Sequence, residues 1–393
     1  MIQQIYAVTA MNLRSIPSRL GTSAVIVIGI AGVVGVMVAL LAMGAGFQAT
    51  LASTGEDDRA IVMRSGSLDE LSSVVIREHA AILAEAPGVA SNSAGEPLAI
   101  GELFMLTNVA KHDAVEPNNV VVRGTTPQVL NLRHEARLVE GRMFQPGVRE
   151  VVVGIGAQRQ FSGLQIGDLV EVREGAWPIV GVFETGGDVH ESEIWVDREA
   201  LVTASRRSAW NSVTVQLEDA ASFTTFKDAI TSDPRLKLQV QREPDYYASR
   251  SEAMGQMITG LGYTVAVIMG IGALFGALNT MYAAVATRTV EIATLRALGF
   301  GSVPVVISVL LEALVLALLG ALIGAALAYL FFNGYSVSTL NFQTFSQVAF
   351  AFRVSGALLV QGMIVACLIG LVGGLFPAVR AARMPVADAL RAS

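Results

Sequence analysis

The chain has four histidines, His79, His112, His134 and His190, and one cysteine, Cys367. It contains no His-x-x-His, His-x-x-x-His or Cys-x-x-Cys, so the common metal-ligand spacings are missing. His190-Glu191 lacks the second histidine that would complete a metalloprotease helix. Gly-x-Ser-x-Gly, the turn that presents a hydrolase serine, is missing as well. The densest titratable cluster is Asp188, His190, Glu191 and Glu193. Carboxylates around an imidazole could hold a divalent cation, but nothing beyond proximity in sequence makes these converge, so a solvated acidic loop is expected. Glu56-Asp57-Asp58 reads the same way. No Gly-x-x-x-x-Gly-Lys-Ser/Thr occurs, so no phosphate-cradling loop is expected. The reading is therefore of a protein that is not an enzyme, with no catalytic residue, cofactor or metal of its own. Any ATP it depends on must be bound by another chain.

Composition says what must position the remaining residues. Of 393 residues, 53% are hydrophobic and 15% charged, with a net charge of −6. Soluble domains carry about 25% charged residues. The acidic balance removes the field that draws a chain to nucleic acid, and a single cysteine excludes an intrachain disulfide. The apolar residues are bunched. No charge falls between Arg19 and Glu56, or between Glu252 and Arg288. Val303 to Phe332 holds only Glu312, and Val354 to Val379 holds none. Each run exceeds the ~20 residues that cross a hydrocarbon core, so four transmembrane helices are predicted. The first is too long for a signal-peptide core of ~7–15 residues and reads as an uncleaved anchor.

Arg14 and Arg19 precede the first run, Arg288 and Arg296 separate the second from the third, and Arg380, Arg383 and Arg391 follow the fourth. The opposite short loop carries only Arg353. The excess of positive charge on inner flanks predicts both termini in the cytoplasm. The expected order is an amphipathic lead-in (1–19), spans at 20–46, 253–286, 303–332 and 354–379, an inner loop (287–302), a short outer loop (333–353) and an inner tail (380–393). Residues 47–251 become a large extracytoplasmic α+β domain in this 1+3 arrangement. Strand-like runs at 151–153, 169–172, 179–183, 194–196, 213–217 and 236–240, with helices at 68–85 and 221–230, suggest two subdomains. One is mixed (about 47–140 and 218–251), the other an inserted β-rich block (about 141–217).

The inner loop reads Arg288-Thr289-Val290-Glu291-Ile292-Ala293-Thr294-Leu295-Arg296-Ala297-Leu298-Gly299. A short helix is predicted, with Ile292, Leu295 and Leu298 as an apolar ridge, Arg288 facing Glu291 three residues on, and Gly299 as the stop. Such a ridge suits a partner's groove or the headgroups of membrane lipid. Glu312 sits ~13 Å into its span at ~1.5 Å per residue. An acid there costs ~2.5–3.5 kcal/mol and is expected to bond a neighbouring helix, for instance at Asn279 or Thr280; proton or ion coupling is the sharper alternative. Gly272 with Gly276, Gly320 with Gly324, and Gly370 with Gly374 read as close helix packing within one chain or across a dimer. A secondary transporter would need more ionisable groups at mid-membrane and a visible repeat.

The inner loop, the preceding Gly276-Ala277-Leu278-Asn279-Thr280-Met281 and Glu312-Ala313 resemble the signature of MacB/FtsX-type ABC transporter permeases. The closing stretch around Pro377, Arg380, Arg383, Pro385 and Leu390 resembles that family's C-terminal motif, and Asn12-Leu13-Arg14 with Pro17 and Arg19 its amphipathic lead-in. Glu140-Gly141-Arg142, Glu150 to Gly154, Gly167-Asp168 and Trp177 to Phe183 are similar, more loosely, to its periplasmic core domain. The resemblance implies a multi-pass protein of the bacterial inner membrane. A cytoplasmic ABC ATPase subunit would grip Arg288, Glu291, Ile292, Leu295, Arg296, Leu298 and Gly299. A second permease copy or a paralogue would complete the transporter. It further implies export or extraction of a lipid, lipoprotein, peptide or drug-like substrate, with a periplasmic adaptor and outer-membrane channel as possible partners. The alternative is a mechanical regulator of a periplasmic enzyme such as a cell-wall hydrolase.

Overall fold

The computed structural model describes residues 2–14, 20–112, 117–173, 175–341 and 346–383. The expectations for Pro17, Arg19, Pro385, Leu390 and Arg391 lie outside the described residues. In chain order the elements begin with α1 (Ile2–Arg14), α2 (Leu20–Ala52), β1 (Arg59–Arg64), α3 (Arg77–Ala84), β2 (Ala99–Ala110), β3 (Pro117–Thr125) and α4 (Val129–Leu132). Then come β4 (Arg137–Gly141), β5 (Val151–Gly154), α5 (Ile155–Gln160), β6 (Leu169–Glu171), β7 (Ala176–Glu184), a 3-10 turn (Val189–Ser192) and β8 (Glu193–Asp197). The chain continues with α6 (Arg198–Ser205), β9 (Ser212–Gln216), α7 (Ser222–Ser232), β10 (Leu238–Arg242), α8 (Glu243–Thr287) and α9 (Thr289–Ala297). It ends in α10 (Ser302–Phe332), β11 (Ser336–Asn341), β12 (Ser346–Ala351) and α11 (Gly356–Arg383). These form two units: a helical unit of residues 1–45, 256–335 and 352–393, and a sheet unit of 46–255 and 336–351.

In the helical unit, α2, α8, α10 and α11 are long and apolar enough to cross a membrane. They coincide with the four uncharged runs. The boundaries differ at three ends: α2 runs six residues past the expected span and α11 four, and α8 begins ten residues before it, with Pro244 in its first turn, where a missing N–H costs nothing. The buried positions of α10, including Val305, Val309, Ala313, Leu316, Gly320 and Gly324, recur every three or four residues along one face. In lipid an apolar face gains nothing from leaving water, so association rests on close backbone approach. Gly320 and Gly324 supply it. A Cβ at Gly320 would stand 2.8 Å from the Val27 carbonyl oxygen, and one at Gly324 2.4 Å from that of Ala31. Gly370 and Gly374 of α11 likewise meet Ala317 and Ala313. At Gly272 and Gly276 an added Cβ meets nothing within 4 Å among the described residues, so no close approach requires glycine there.

Among the described residues the main sheet of the sheet unit has ten strands in the order β10-β1-β9-β2-β3-β8-β5-β7-β4, with β6 added to β7. The β3–β8 and β5–β7 pairs are parallel, the others antiparallel. β8 and β9 are buried at every residue, so both faces are covered there. One core contains Val62, Leu103, Val122, Trp177 and Val213; the other contains Ile100, Leu132, Phe144, Phe183 and Trp195, with Phe183 and Trp195 stacked at 3.8 Å. Strands from both expected subdomains share this sheet: β9 lies between β1 and β2, and β4 pairs with β7. The helix expected over 68–85 is confined to Arg77–Ala84. Before it, Asp69 accepts from the Ser72 N–H, and Val75 pairs with Trp210 across an isolated bridge, which holds the backbone extended. The short loop between the last two spans is also more than a connection, since β11 and β12 form an antiparallel hairpin that belongs to the sheet unit.

Gly324→Val is expected to destabilise the helical unit by about 1–3 kcal/mol or more through overpacking, whereas Gly272→Ala should leave it unchanged. Thermal unfolding of the purified protein in detergent checks both; a wild-type transition for Gly324→Val would contradict the α2–α10 contact.

Candidate functional site

α8 breaks at Thr287, and Arg288 is the N-cap of α9 with φ −106° and ψ 9°. That turn sends the arginine inward rather than along α9. It is 4% exposed, and its Nη1 donates to Glu312 Oε2 on α10 at 2.7 Å. Its Nη2 reaches the Asn12 carbonyl oxygen of α1 at 3.5 Å, and Asn12 Nδ2 donates to Ser308 Oγ on α10. Three helices are thus tied at the point where α9 begins. Two expectations are corrected. Arg288 pairs with Glu312 rather than Glu291, which is exposed. Glu312 binds Arg288 rather than Asn279 or Thr280; Asn279 is exposed and Thr280 Oγ1 donates to the Gly276 carbonyl of its own helix. The reason is common to both. A carboxylate buried inside a span needs a full counter-charge, which an amide or hydroxyl does not provide.

The expected ridge on α9 is twisted out of line. Ile292 is buried with Met281, Val285 and Val305, Leu295 is half-buried, and Leu298 is 73% exposed. The outward face carries Val290, Glu291 and Leu298, with Leu295 and Arg296 half-buried beside it. The helix stops as its sequence requires. Phe300 N–H donates to Leu295 O, Gly299 N–H to Arg296 O, and Gly299 takes φ +95°. On α11, Pro377 is buried within the helix, Arg383 lies in the last turn, and Arg380 stands over the Tyr282 ring at 5.5 Å. α9 is therefore an exposed, capped helix pinned to its unit at one end.

The sheet unit holds a second set of buried charges that local sequence reading missed. Arg123 of β3 is bonded to Glu193 (2.7 Å), Glu70 (2.8 Å) and Glu102 (3.1 Å), all buried. Arg133 donates to Glu243 at 2.5 Å, and Arg59 bonds both Glu243 (3.0 Å) and Glu135 (2.7 Å). Burial works against the charge of Glu70, but Arg123 and the Ser212 hydroxyl outweigh it and hold its carboxyl at about 2. Glu135 is drawn down to about 2 against the same burial effect by the Arg59 guanidinium. The only local signal is a charge inside an apolar strand run, as in Val120-Val121-Val122-Arg123 and Ile100-Gly101-Glu102-Leu103. The partners come from strands far apart in the chain.

The expected solvated loop at Asp188 to Glu193 is also corrected. Asp188, His190 and Glu193 are buried, because each is paired. Asp188 caps the 3-10 turn and faces His190 Nδ1 at 3.1 Å, while Glu193 binds Arg123. Glu191 accepts from the N–H groups of Thr185 (3.0 Å) and Gly187 (2.8 Å). Among the described residues no group of three or more His, Cys, Asp or Glu is arranged to hold a metal ion. Glu56 and Asp57 are exposed.

A family model described as MacB-like periplasmic core domain matches residues 23–233, and one described as FtsX-like permease C-terminal matches residues 263–386. No curated protein matches the chain. Among solved structures it is similar to the extracellular domain of the noncanonic ABC-type transporter YknZ from Gram-positive bacteria, at 16% identity and TM-score 0.36, over 47% of this chain and 99% of that one. It is also similar to the periplasmic region of MacB from Actinobacillus actinomycetemcomitans, at 12% identity and TM-score 0.35, over 51% of this chain and 92% of that one.

The depressed carboxyls set a pH dependence. Their pKa is lower folded than unfolded, so they add stability above the unfolded value of 4.5 and lose it as pH falls toward 2. The sheet unit should unfold at a near-constant temperature from neutral pH to about 5 and lose stability steeply below about 4.5, with Glu70→Gln flattening that fall. Arg123→Ala, which strands three buried carboxylates, should cost ~3–5 kcal/mol at neutral pH. Tryptophan fluorescence during thermal unfolding across pH reads both, and an acid limb unchanged by Glu70→Gln would refute the assignment.

Proposed function

This chain belongs to the MacB/FtsX-type permeases of ABC transporters, and from that premise we propose that it relays ATP-driven motion from a separate ATPase subunit to its periplasmic domain. Permeases of this class are multi-pass inner-membrane proteins with a periplasmic domain and an ABC ATPase partner. In our reading both chain ends and α9 lie in the cytoplasm, where the arginine flanks favour them. The sheet unit is then the periplasmic part, and a second copy or a paralogue completes the permease.

The observation that carries the proposal is the build of α9. It stands between two candidate spans, exposes Leu298, Val290 and Glu291, and is pinned at its first residue by the Arg288–Glu312 pair. A partner that pushes on the exposed face moves α8 and α10 together, because the ion pair joins them. Arg288, Glu312, Asn12 and Ser308 are also bonded to one another, so their polar groups are spent on tying helices together. That favours work delivered as periplasmic motion over passage between the spans. We assign the work to export or extraction of a lipid, lipoprotein, peptide or drug-like substrate, through an adaptor and outer-membrane channel where export is the outcome. A sheet unit of this size favours that over a toggle acting on a cell-wall hydrolase. Copurification separates the two: adaptor and channel support export, a hydrolase supports signalling.

Leu298→Asp, Leu295→Asp or charge reversal at Glu291 or Arg296 should abolish transport-linked ATP turnover in the complex reconstituted with its ATPase, while membrane insertion stays normal. Wild-type turnover in all four variants would defeat the docking role.

A further inference from the structure

Three stretches of chain join the sheet unit to the candidate spans: the end of α2, the start of α8, and the β11–β12 hairpin between α10 and α11. All three are bonded to one short element, the 3-10 turn Val189–Ser192. Val189 N–H donates to Thr54 Oγ1 at 3.2 Å, and the same Thr54 hydroxyl donates to the Thr50 carbonyl in the last turn of α2 at 2.9 Å. His190 Nε2 meets the Tyr247 hydroxyl of α8 at 3.3 Å. Ser192 Oγ accepts from the Ala349 N–H of β12 at 2.8 Å.

The turn is suited to being a fixed point. Asp188 accepts from the His190 N–H at 2.9 Å and from the Thr185 hydroxyl, and Glu191 bonds the backbone of Thr185 and Gly187. The Asp188 carboxylate can only accept, so His190 Nδ1 donates to it, which fixes the ring with Nε2 facing the Tyr247 hydroxyl. Immediately after the turn, Glu193 enters the sheet's charge web through Arg123. A cavity of about 30 Å³ beside it is lined by Leu51 of α2, Tyr246 and Tyr247 of α8, Gln347 and Val348 of β12, and Arg123. A rigid turn bonded to every connection and rooted in the central strands is where displacements of the four spans would be summed.

We propose that the turn Val189–Ser192 is the coupling hub of the periplasmic unit, with Thr54, His190 and Ser192 as positioning residues. The inference rests on the relay reading above and names the point where the relayed motion enters the sheet. The test uses the full chain with its ATPase, on a Cys367→Ser background, with spin labels at Ser93→Cys and Arg353→Cys. In the otherwise wild-type pair, ATP should change the label distance. Thr54→Val with Ser192→Ala should cut that change by about half or more while ATP hydrolysis stays within about two-fold, and Thr54→Ser with Ser192→Thr should restore it. A full change in the Thr54→Val, Ser192→Ala protein would overturn the hub and leave the relay standing. No change in the wild-type pair would overturn the relay, and the hub with it. If the double variant loses its thermal transition, Ser192→Ala and Thr54→Val singly decide by the same distance.

Discussion

A charge taken out of water must find its opposite within bonding distance, and that constraint organises both units of this protein. In the helical unit, among the described residues, it is met by Arg288 and Glu312. An acid alone in a span is expensive to insert, and removing one member of a buried pair costs ~3–5 kcal/mol. The pair therefore does more than neutralise. It decides where α8 ends, which way Arg288 turns and what α9 is fastened to. The partly inward set of α9, with Ile292 buried and Leu298 exposed, follows from that first turn.

The sheet unit meets the same constraint many times over. Arg123, Arg59 and Arg133, the last through Glu243 and Glu102 (3.7 Å), each bridge carboxylates carried by different elements, so the web acts as a set of cross-ties between β1, β2, β3, β8 and the start of α8. Apolar packing would hold those strands together equally well, and replacing buried ion pairs by well-packed apolar side chains is often neutral or stabilising. What a charged web adds is geometry: a guanidinium accepts few arrangements of its partners, so the cross-tied elements move as one body. Under the relay proposed above, stiffness of that kind would matter more than net stability.

The two kinds of packing also divide the chain by solvent. Where lipid is the surroundings, small residues at Gly320, Gly324, Gly370 and Gly374 let backbones touch. Where water surrounds the fold, Trp177, Trp195 and Phe183 fill the two faces of the sheet. Arg380 over Tyr282 and the buried Pro377 serve as packing at the end of α11.

The amino-acid sequence by itself determined the four spans, the large domain after the first of them, the inner-loop helix with its glycine stop and the family. Each is written in contiguous residues: a run without charge, a helical period, a motif. Only the tertiary structure decided which charges meet. Arg288 passes over Glu291, three residues away, for Glu312, and Asp188, His190 and Glu193 form a buried post rather than a wet loop. The shortened α3, the shared sheet and the docked β11–β12 hairpin belong to the same class. Partners separated by dozens of residues are chosen by strand register and by the cost of leaving a buried charge alone, and neither is encoded in the spacing of nearby residues.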